Sequence, residues 1–333
     1  MMSNFKITKT DNTGVVWFVN NGESVKKRIE MFDISTQSII YITENTYQKG
    51  SEYWVAPGVA VQSQKRSGNI LLKIIDPKKG IELEHQYKFE GDRRQAIVNG
   101  KNITFKASPD DQIYHLINEI FWELTYQRDY VKIDTGDVVV DIGANIGVFS
   151  AYAQQFKPAH TYSLEPVNET FNYLKQNMEG FNNVTVIEKG ISKNGGPLEM
   201  TLSDISACHT LKSNTEILND NIQNHLSSRP KTSIVQTQTI NQFIKENNIN
   251  RIDFLKVDCE GGEYDLFTTL DKEYLTNNIK KIALEYHSPL IKTELLNIFK
   301  KCGFLIECLN ELEGDKLGHI YAYNPKLILE KTL

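Results

Sequence analysis

Four acidic or basic positions fall where the chain leaves a buried apolar run, which is where an open α/β sheet presents its reactive groups. Asp141 closes Val138-Val139-Val140 and is followed by Ile142-Gly143-Ala144-Asn145-Ile146-Gly147. Glu165 follows His160-Thr161-Tyr162-Ser163-Leu164 and precedes Pro166, about 24 residues past Asp141, near the spacing at which an acid meets ribose hydroxyls. Asp258 follows Ile252 to Val257 and opens Asp258-Cys259-Glu260-Gly261-Gly262-Glu263. Lys281 to Glu285 ends at Tyr286-His287. Carboxylates and an imidazole so placed can bind hydroxyls, hold a cation and move a proton.

The pattern after the first strand is D-x-G-x-x-x-G, not the G-x-G-x-x-G of dinucleotide sites. Glycines let backbone approach a ligand closely. An acid at the end of the strand repels a pyrophosphate but suits S-adenosylmethionine, which carries an ammonium and a sulfonium. On this reading Asp141 and the turn Gly143, Ala144, Asn145 and Gly147 hold the methionine end. Glu165 takes both ribose hydroxyls, beside Pro166, Gly190 and Ile191. The plain alternative is a strand–turn–helix without a ligand.

These elements need a parallel sheet. Strands are expected over 138–142, 160–164, 184–188, 252–257 and 281–285, with helices from Val148 and over Asn168 to Asn177. The chain from about Glu119 to its end resembles the FkbM-type S-adenosylmethionine-dependent O-methyltransferases. The resemblance rests on Gly136-Asp137 with Val138 to Ser150, and on Leu164-Glu165-Pro166 with Asn177. It continues in Ser206-Ala207-Cys208-His209-Thr210-Leu211, in Thr239 to Phe243, and in Phe254 to Glu263. Cys259 stands where the family has an aliphatic residue, and Thr210 where it has serine. The resemblance implies an α/β fold, a Rossmann-like class I methyltransferase sheet, and methylation of a hydroxyl on a sugar, glycolipid or polyketide.

Methyl transfer to oxygen needs an acceptor for the hydroxyl proton. Asp258, His287 and Glu260 are the candidates, with Glu263 and Glu285 nearby. Asp258 could instead bind a metal or the methionine ammonium, and His287 could be a packing histidine. Glu263 is read as structural, at a helix N-terminus where a carboxylate is stabilised. Asp258, Glu260 and Glu285 are hard oxygen donors that would suit Mg²⁺, but their spacing does not prove a metal, and no metal ligand is assigned. The long polar stretch Thr201 to Val235 reads as a loop of two parts, 203–211 near the site, with Ser206 and His209 contacting the acceptor, and the rest a mobile surface insertion.

The first hundred residues have another texture. Short β-branched and aromatic runs (15–19, 38–42, 70–75, 84–89, then a hairpin around Asn99-Gly100) predict a small all-β sandwich or barrel. The expected domains are an accessory 1–107 and a methyltransferase domain 108–333, joined by a helix over Asp110 to Tyr126. Trp54 in this part is either core or a platform for a sugar face; self-association, giving a homo-oligomer, is a third use for the domain.

The chain has 333 residues and a formal net charge of −5. That argues against nucleic acid as partner, and the basic runs, Lys26-Lys27-Arg28 among them, read as solvated surface. A small-molecule or glycan acceptor fits better. No apolar run is long enough to span a membrane, and there is no apolar core for a signal peptide. The four cysteines lack metal-binding spacing. Together these give a cytoplasmic expectation. Two other function classes remain open: an NAD-linked oxidoreductase on a similar fold, and a non-catalytic glycan-binding module.

Overall fold

The computed structural model describes residues 5–10, 16–33, 38–50, 52–55, 67–90, 95–108, 113–202, 210–211, 231–259, 261–310 and 317–329. The chain forms two compact units, residues 1–96 with 112–115, and residues 97–111 with 116–333.

The first unit is all-β. Phe5–Thr10, Val16–Asn20 and Glu52–Val55 form one antiparallel sheet. Ser38–Tyr47, Val25–Asp33, Ser67–Asp76 and Gly80–Glu90 form another, in that order. Phe5, Val16 and Phe18 of the first sheet share a core with Ile29, Met31, Leu72 and Ile74 of the second. The alternation of Ile29 with Met31 and of Leu72 with Ile74 is the period-two signature of strands buried on one face. Charge hides one of these strands from a reading of hydrophobic runs, because Val25–Asp33 contains Lys26-Lys27-Arg28. The expectation of solvated surface fails for Lys27, which is buried and ion-paired with Asp76 and Glu82.

The second unit carries a seven-stranded sheet. Its strands are β1 Val138–Ile142, β2 His160–Leu164, β3 Val184–Ile187, β4 Phe254–Val257, β5 Lys281–Tyr286, β6 Leu305–Asn310 and β7 Gly318–Tyr323. The order is β3-β2-β1-β4-β5-β7-β6. The first five run parallel, while β7 is antiparallel to both its neighbours. Strand β4 is buried at every residue, as a central parallel strand must be. The order reverses between β1 and β4, so the crevice beyond their carboxyl ends is the expected ligand site.

Three helices bear on that crevice: α1 Val148–Ala153, α2 Asn168–Asn177 and α3 Glu263–Thr269. The end of α2 is tied down by Asn177, whose amide donates to the carbonyls of Ile146 and Lys106. Asp137 before β1 is wholly buried and accepts from the Lys281 ammonium at 2.7 Å, so the Gly136-Asp137 pair fixes β1 against β5.

Three expectations are corrected. The hairpin Gln95–Val98 with Lys101–Thr104 turns at Asn99 (φ 50°) and Gly100 (φ 76°), as a tight two-residue turn requires. Asn99 bonds Gln154, and Lys106 bonds Asn177. The expected boundary after residue 107 therefore falls inside the second unit.

The helix expected over 110–126 is α-helical over Ile113–Ile117 and then widens to a π turn, Asn118–Trp122. There the Glu123 N–H reaches back to the Asn118 carbonyl at 2.9 Å.

The polar stretch 201–235 is not one loop. Thr210–Leu211 and Lys231–Gln238 join Gly196–Leu202 and Gly190–Ile191 in a four-stranded sheet. Lys231–Gln238 shows no clean apolar period, because Thr237 and Gln238 are buried while Ile234 is exposed. No helix among the described residues is long and apolar enough to cross a membrane.

Candidate active site

A cavity of about 960 Å³, partly open to solvent, lies at the carboxyl ends of β1, β2 and β4. Its wall includes Gly143, Ala144, Asn145, Glu165, Pro166, Gly190, Ile191 and Asp258, so eight of the residues expected to bind a cofactor are brought together.

Gly143 lets the turn after β1 pack directly against the backbone at the end of β4. Its φ is +74°, and a Cβ there would lie 1.7 Å from the Asp258 carbonyl oxygen. No side chain fits that position. The turn is pinned from below, since the N–H groups of Gly143 and Ala144 both donate to the Leu164 carbonyl. Gly147, at φ +91°, packs against α2, where a Cβ would meet Leu174 at 2.7 Å. It shapes the turn and does not line the cavity.

Glu165 is 7 % exposed. One carboxylate oxygen accepts from the Asn145 N–H at 3.1 Å and the other from the Val167 N–H at 2.9 Å. Each oxygen keeps a further acceptor site. Burial lifts this carboxyl to about 7, against the opposing pull of those two N–H groups and of Lys256. A ligand that donates two hydroxyl hydrogens would satisfy it.

Asp141 is placed differently from the expectation. It is wholly buried, off the cavity wall, and ion-paired with Lys256 at 3.2 Å. Its other oxygen accepts from the Ser150 hydroxyl at 2.6 Å. The acid that the motif pointed to thus acts through a lysine.

Lys256 lies in β4, two residues before Asp258. Its ammonium donates to the Gly143 carbonyl at 2.7 Å and lies 3.7 Å from Asp258. Burial opposes its charge, but Asp141 and Asp258 outweigh burial and raise its pKa.

Asp258 has 26 % of its side chain exposed, on the cavity wall. The Tyr126 hydroxyl donates to it at 2.8 Å. Burial raises the carboxyl, but Lys256, His287, the Tyr126 hydroxyl and His319 outweigh burial and hold it below the usual range. It is ionised at neutral pH. Tyr126 is the opposite case: burial and the adjacent Asp258 push its hydroxyl well up, so it is a fixed donor. No sequence signal marked Tyr126, which reaches the site from 132 positions away.

His287 is buried behind Asp258 and is not on the wall. Its Nδ1 lies 3.1 Å from Glu263, and a carboxylate can only accept, so Nδ1 carries the proton. Nε2 then faces Glu285 at 3.9 Å. Glu263 also accepts from the N–H groups of Cys259 and Gly261, in the turn before α3, and so holds that turn rather than the helix N–H groups. One donor atom each from Asp258, Glu285 and His287 lie within 4.8 Å of one another, a group able to hold a metal ion. Burial, Glu263 and Asp258 push the Cys259 thiol well up, so it is no nucleophile at neutral pH. Glu260, Ser206 and His209 lie outside the described residues.

Residues 141–306 match the methyltransferase FkbM domain. Three curated relatives are similar over parts of the chain. The AMB antimetabolite synthetase AmbE of Pseudomonas aeruginosa is 26 % identical over 63 % of this chain, which spans 12 % of that protein. Methyltransferase sdnD of Sordaria araneosa is 23 % identical over 62 % of this chain and 88 % of its own length. The 31-O-demethyl-FK506 methyltransferase FkbM of Streptomyces tacrolimicus is 29 % identical over 50 % of this chain and 71 % of its own.

Proposed function

Because this chain belongs to the FkbM family of S-adenosylmethionine-dependent methyltransferases, we propose that it methylates a hydroxyl of a sugar, glycolipid or related natural product. The reading is supported most by one observation: an ionised Asp258 on the wall of the cavity, braced by Tyr126 and Lys256. The Streptomyces relative, named for a 31-O-demethyl substrate, points the same way.

The cavity suits the cofactor. Glu165 offers both oxygens to ribose hydroxyls, Gly143 and Ala144 line the cavity beside it, and among the described residues carboxylates outnumber the one lysine on the wall. Bound there, S-adenosylmethionine supplies a methyl group on a sulfonium, open to in-line attack by oxygen.

Asp258 does the remaining chemistry. A hydroxyl proton becomes strongly acidic as the oxygen takes the methyl as its third substituent and becomes an oxonium, so an ionised carboxylate of low pKa suffices to take it. Tyr126 and Lys256 hold the carboxylate in place, and the nearby His287 favours its charge. Leu116, Ile120, Met200 and Val235 give the wall apolar surface that excludes water around the reacting atoms. The β unit at residues 1–96 is an accessory module in this reading, and the acceptor is a small molecule or glycan.

The cofactor half can be tested by itself. Ribose hydroxyls bond best to an ionised carboxylate, and Glu165 titrates near pH 7. Binding should therefore lower its pKa and release a proton below pH 7. Affinity for S-adenosylhomocysteine should rise with pH up to about 7 and then level off. Glu165→Ala should weaken binding by roughly ten- to a hundredfold and abolish that pH dependence. Calorimetry at several pH values checks both, and unchanged affinity in a folded variant would remove Glu165 from the site.

A further inference from the structure

Parallel pairing brings two strand ends level. Val257 of β4 lies beside Leu284 of β5 in the ladder. One step further along, Asp258 comes level with Glu285. His287 follows two residues later, the spacing that returns a side chain to the same side of an extended chain. One donor atom from each of Asp258, Glu285 and His287 falls within 4.8 Å of the others. Metal–ligand bonds of about 2.0–2.2 Å leave two ligand atoms at most about 4.4 Å apart, so a small side-chain shift closes the group on one ion.

Two further observations set this group apart from an ordinary acidic cluster. The first is the orientation of His287. Its Nδ1 donates to Glu263 at 3.1 Å, and its Nε2 faces Glu285 at 3.9 Å. Metal-bound histidines are held in this way, with the second ring nitrogen donating to a carboxylate. Glu263 is itself wholly buried and anchored by the Cys259 and Gly261 N–H groups. The second is unbalanced charge. Glu263 Oε2 is buried with no hydrogen-bond partner among the described residues. Of the four carboxylates gathered here, Asp141 and Asp258 pair with Lys256, while Glu263 and Glu285 face His287. Even a protonated His287 leaves that group with more negative than positive charge. Buried charge of one sign is costly, and a cation relieves it.

We propose that Asp258, Glu285 and His287 bind one divalent ion of the first transition row. Oxygen ligands alone would suit Mg²⁺; the imidazole nitrogen shifts the preference to Mn²⁺, Fe²⁺ or Zn²⁺. The ion neutralises the acids behind the cavity wall and fixes Asp258, the one ligand of the three that lines the cavity. Its role is positioning.

The untagged full chain, stripped with EDTA and desalted, is titrated with Mn²⁺ while electron paramagnetic resonance follows the free ion. One saturable site per chain is expected, and pulsed measurements on the bound ion should show coupling to an imidazole nitrogen. His287→Gln should abolish that coupling. Glu263→Gln, which removes no ligand, should weaken Mn²⁺ by about ten- to a hundredfold. Circular dichroism checks that each variant is folded, and if one is not, the wild-type nitrogen coupling decides alone. Absence of a saturable site overturns the proposal. So does a bound ion without nitrogen coupling, which is what surface carboxylates would give. Unchanged Mn²⁺ affinity in folded Glu263→Gln, or coupling that survives in His287→Gln, does the same. No cofactor or acceptor enters this experiment, so loss of the ion site leaves the methyl-transfer reading standing, and failure of methyl transfer leaves the ion site standing.

Discussion

Replacing Asp258 with asparagine is expected to slow methyl transfer by about 10²–10⁴, with affinity for S-adenosylhomocysteine changed by less than about tenfold. Asparagine keeps the size of the side chain and can still accept from the Tyr126 hydroxyl, now 2.8 Å from the carboxylate. It cannot take a proton. Lys256 keeps Asp141 as its counter-ion, so the fold is expected to survive. His287→Gln should cost less, because His287 is buried behind Asp258 and off the cavity wall. Single-turnover rates on an identified acceptor measure both. A near wild-type rate in Asp258→Asn would assign the proton to another group. Loss of activity in EDTA with recovery in Mg²⁺ would then point to an ion held by Asp258, Glu285 and His287.

Lys256→Met should be the most destabilising substitution in the site, by about 3–5 kcal/mol. The lysine is 4 % exposed and faces a fully buried Asp141 at 3.2 Å. Removing it strands that carboxylate in the interior and leaves the Gly143 carbonyl without its donor. The cost comes from an uncompensated charge, which suggests its own control. Adding Asp141→Asn to Lys256→Met should recover at least half of the lost stability. Urea unfolding of the three proteins decides this. A single variant within about 1 kcal/mol of wild type would mean that the pair contributes little, and a double variant no better than the single would assign the loss to packing.

The parts of this fold that follow a strong period were legible in the sequence. Strands 138–142 and 160–164 and the helix over 168–177 stand where the apolar pattern put them. Elements that hide their pattern were not. Val25–Asp33 buries Lys27 through two acids that lie far away in sequence, and no local reading can supply that partner. Lys231–Gln238 carries polar residues on both faces, Thr232 and Gln236 exposed and Thr237 and Gln238 buried, so no apolar period marks it as a strand.

The site divides the same way. Glycines and strand-end acids mark the cavity because their chemistry is local. Whether an acid faces a cavity or a buried lysine depends on tertiary contacts, and no local pattern shows that Asp141 pairs with Lys256. Tyr126 had no signal at all, since its role depends on meeting Asp258 across the fold.

The central claim is methyl transfer from S-adenosylmethionine to a hydroxyl, and the most direct measurement follows the methyl group itself. The full chain is incubated with methyl-labelled S-adenosylmethionine and a panel of sugars, glycolipids and polyketide alcohols. Mass spectrometry then locates the label. The account predicts S-adenosylhomocysteine and an O-methyl product formed in equal amounts, with the product absent in Asp258→Asn. Tight binding of the cofactor without label in any acceptor would contradict it and favour a module that binds glycan without catalysis; label on nitrogen or carbon would contradict the hydroxyl assignment.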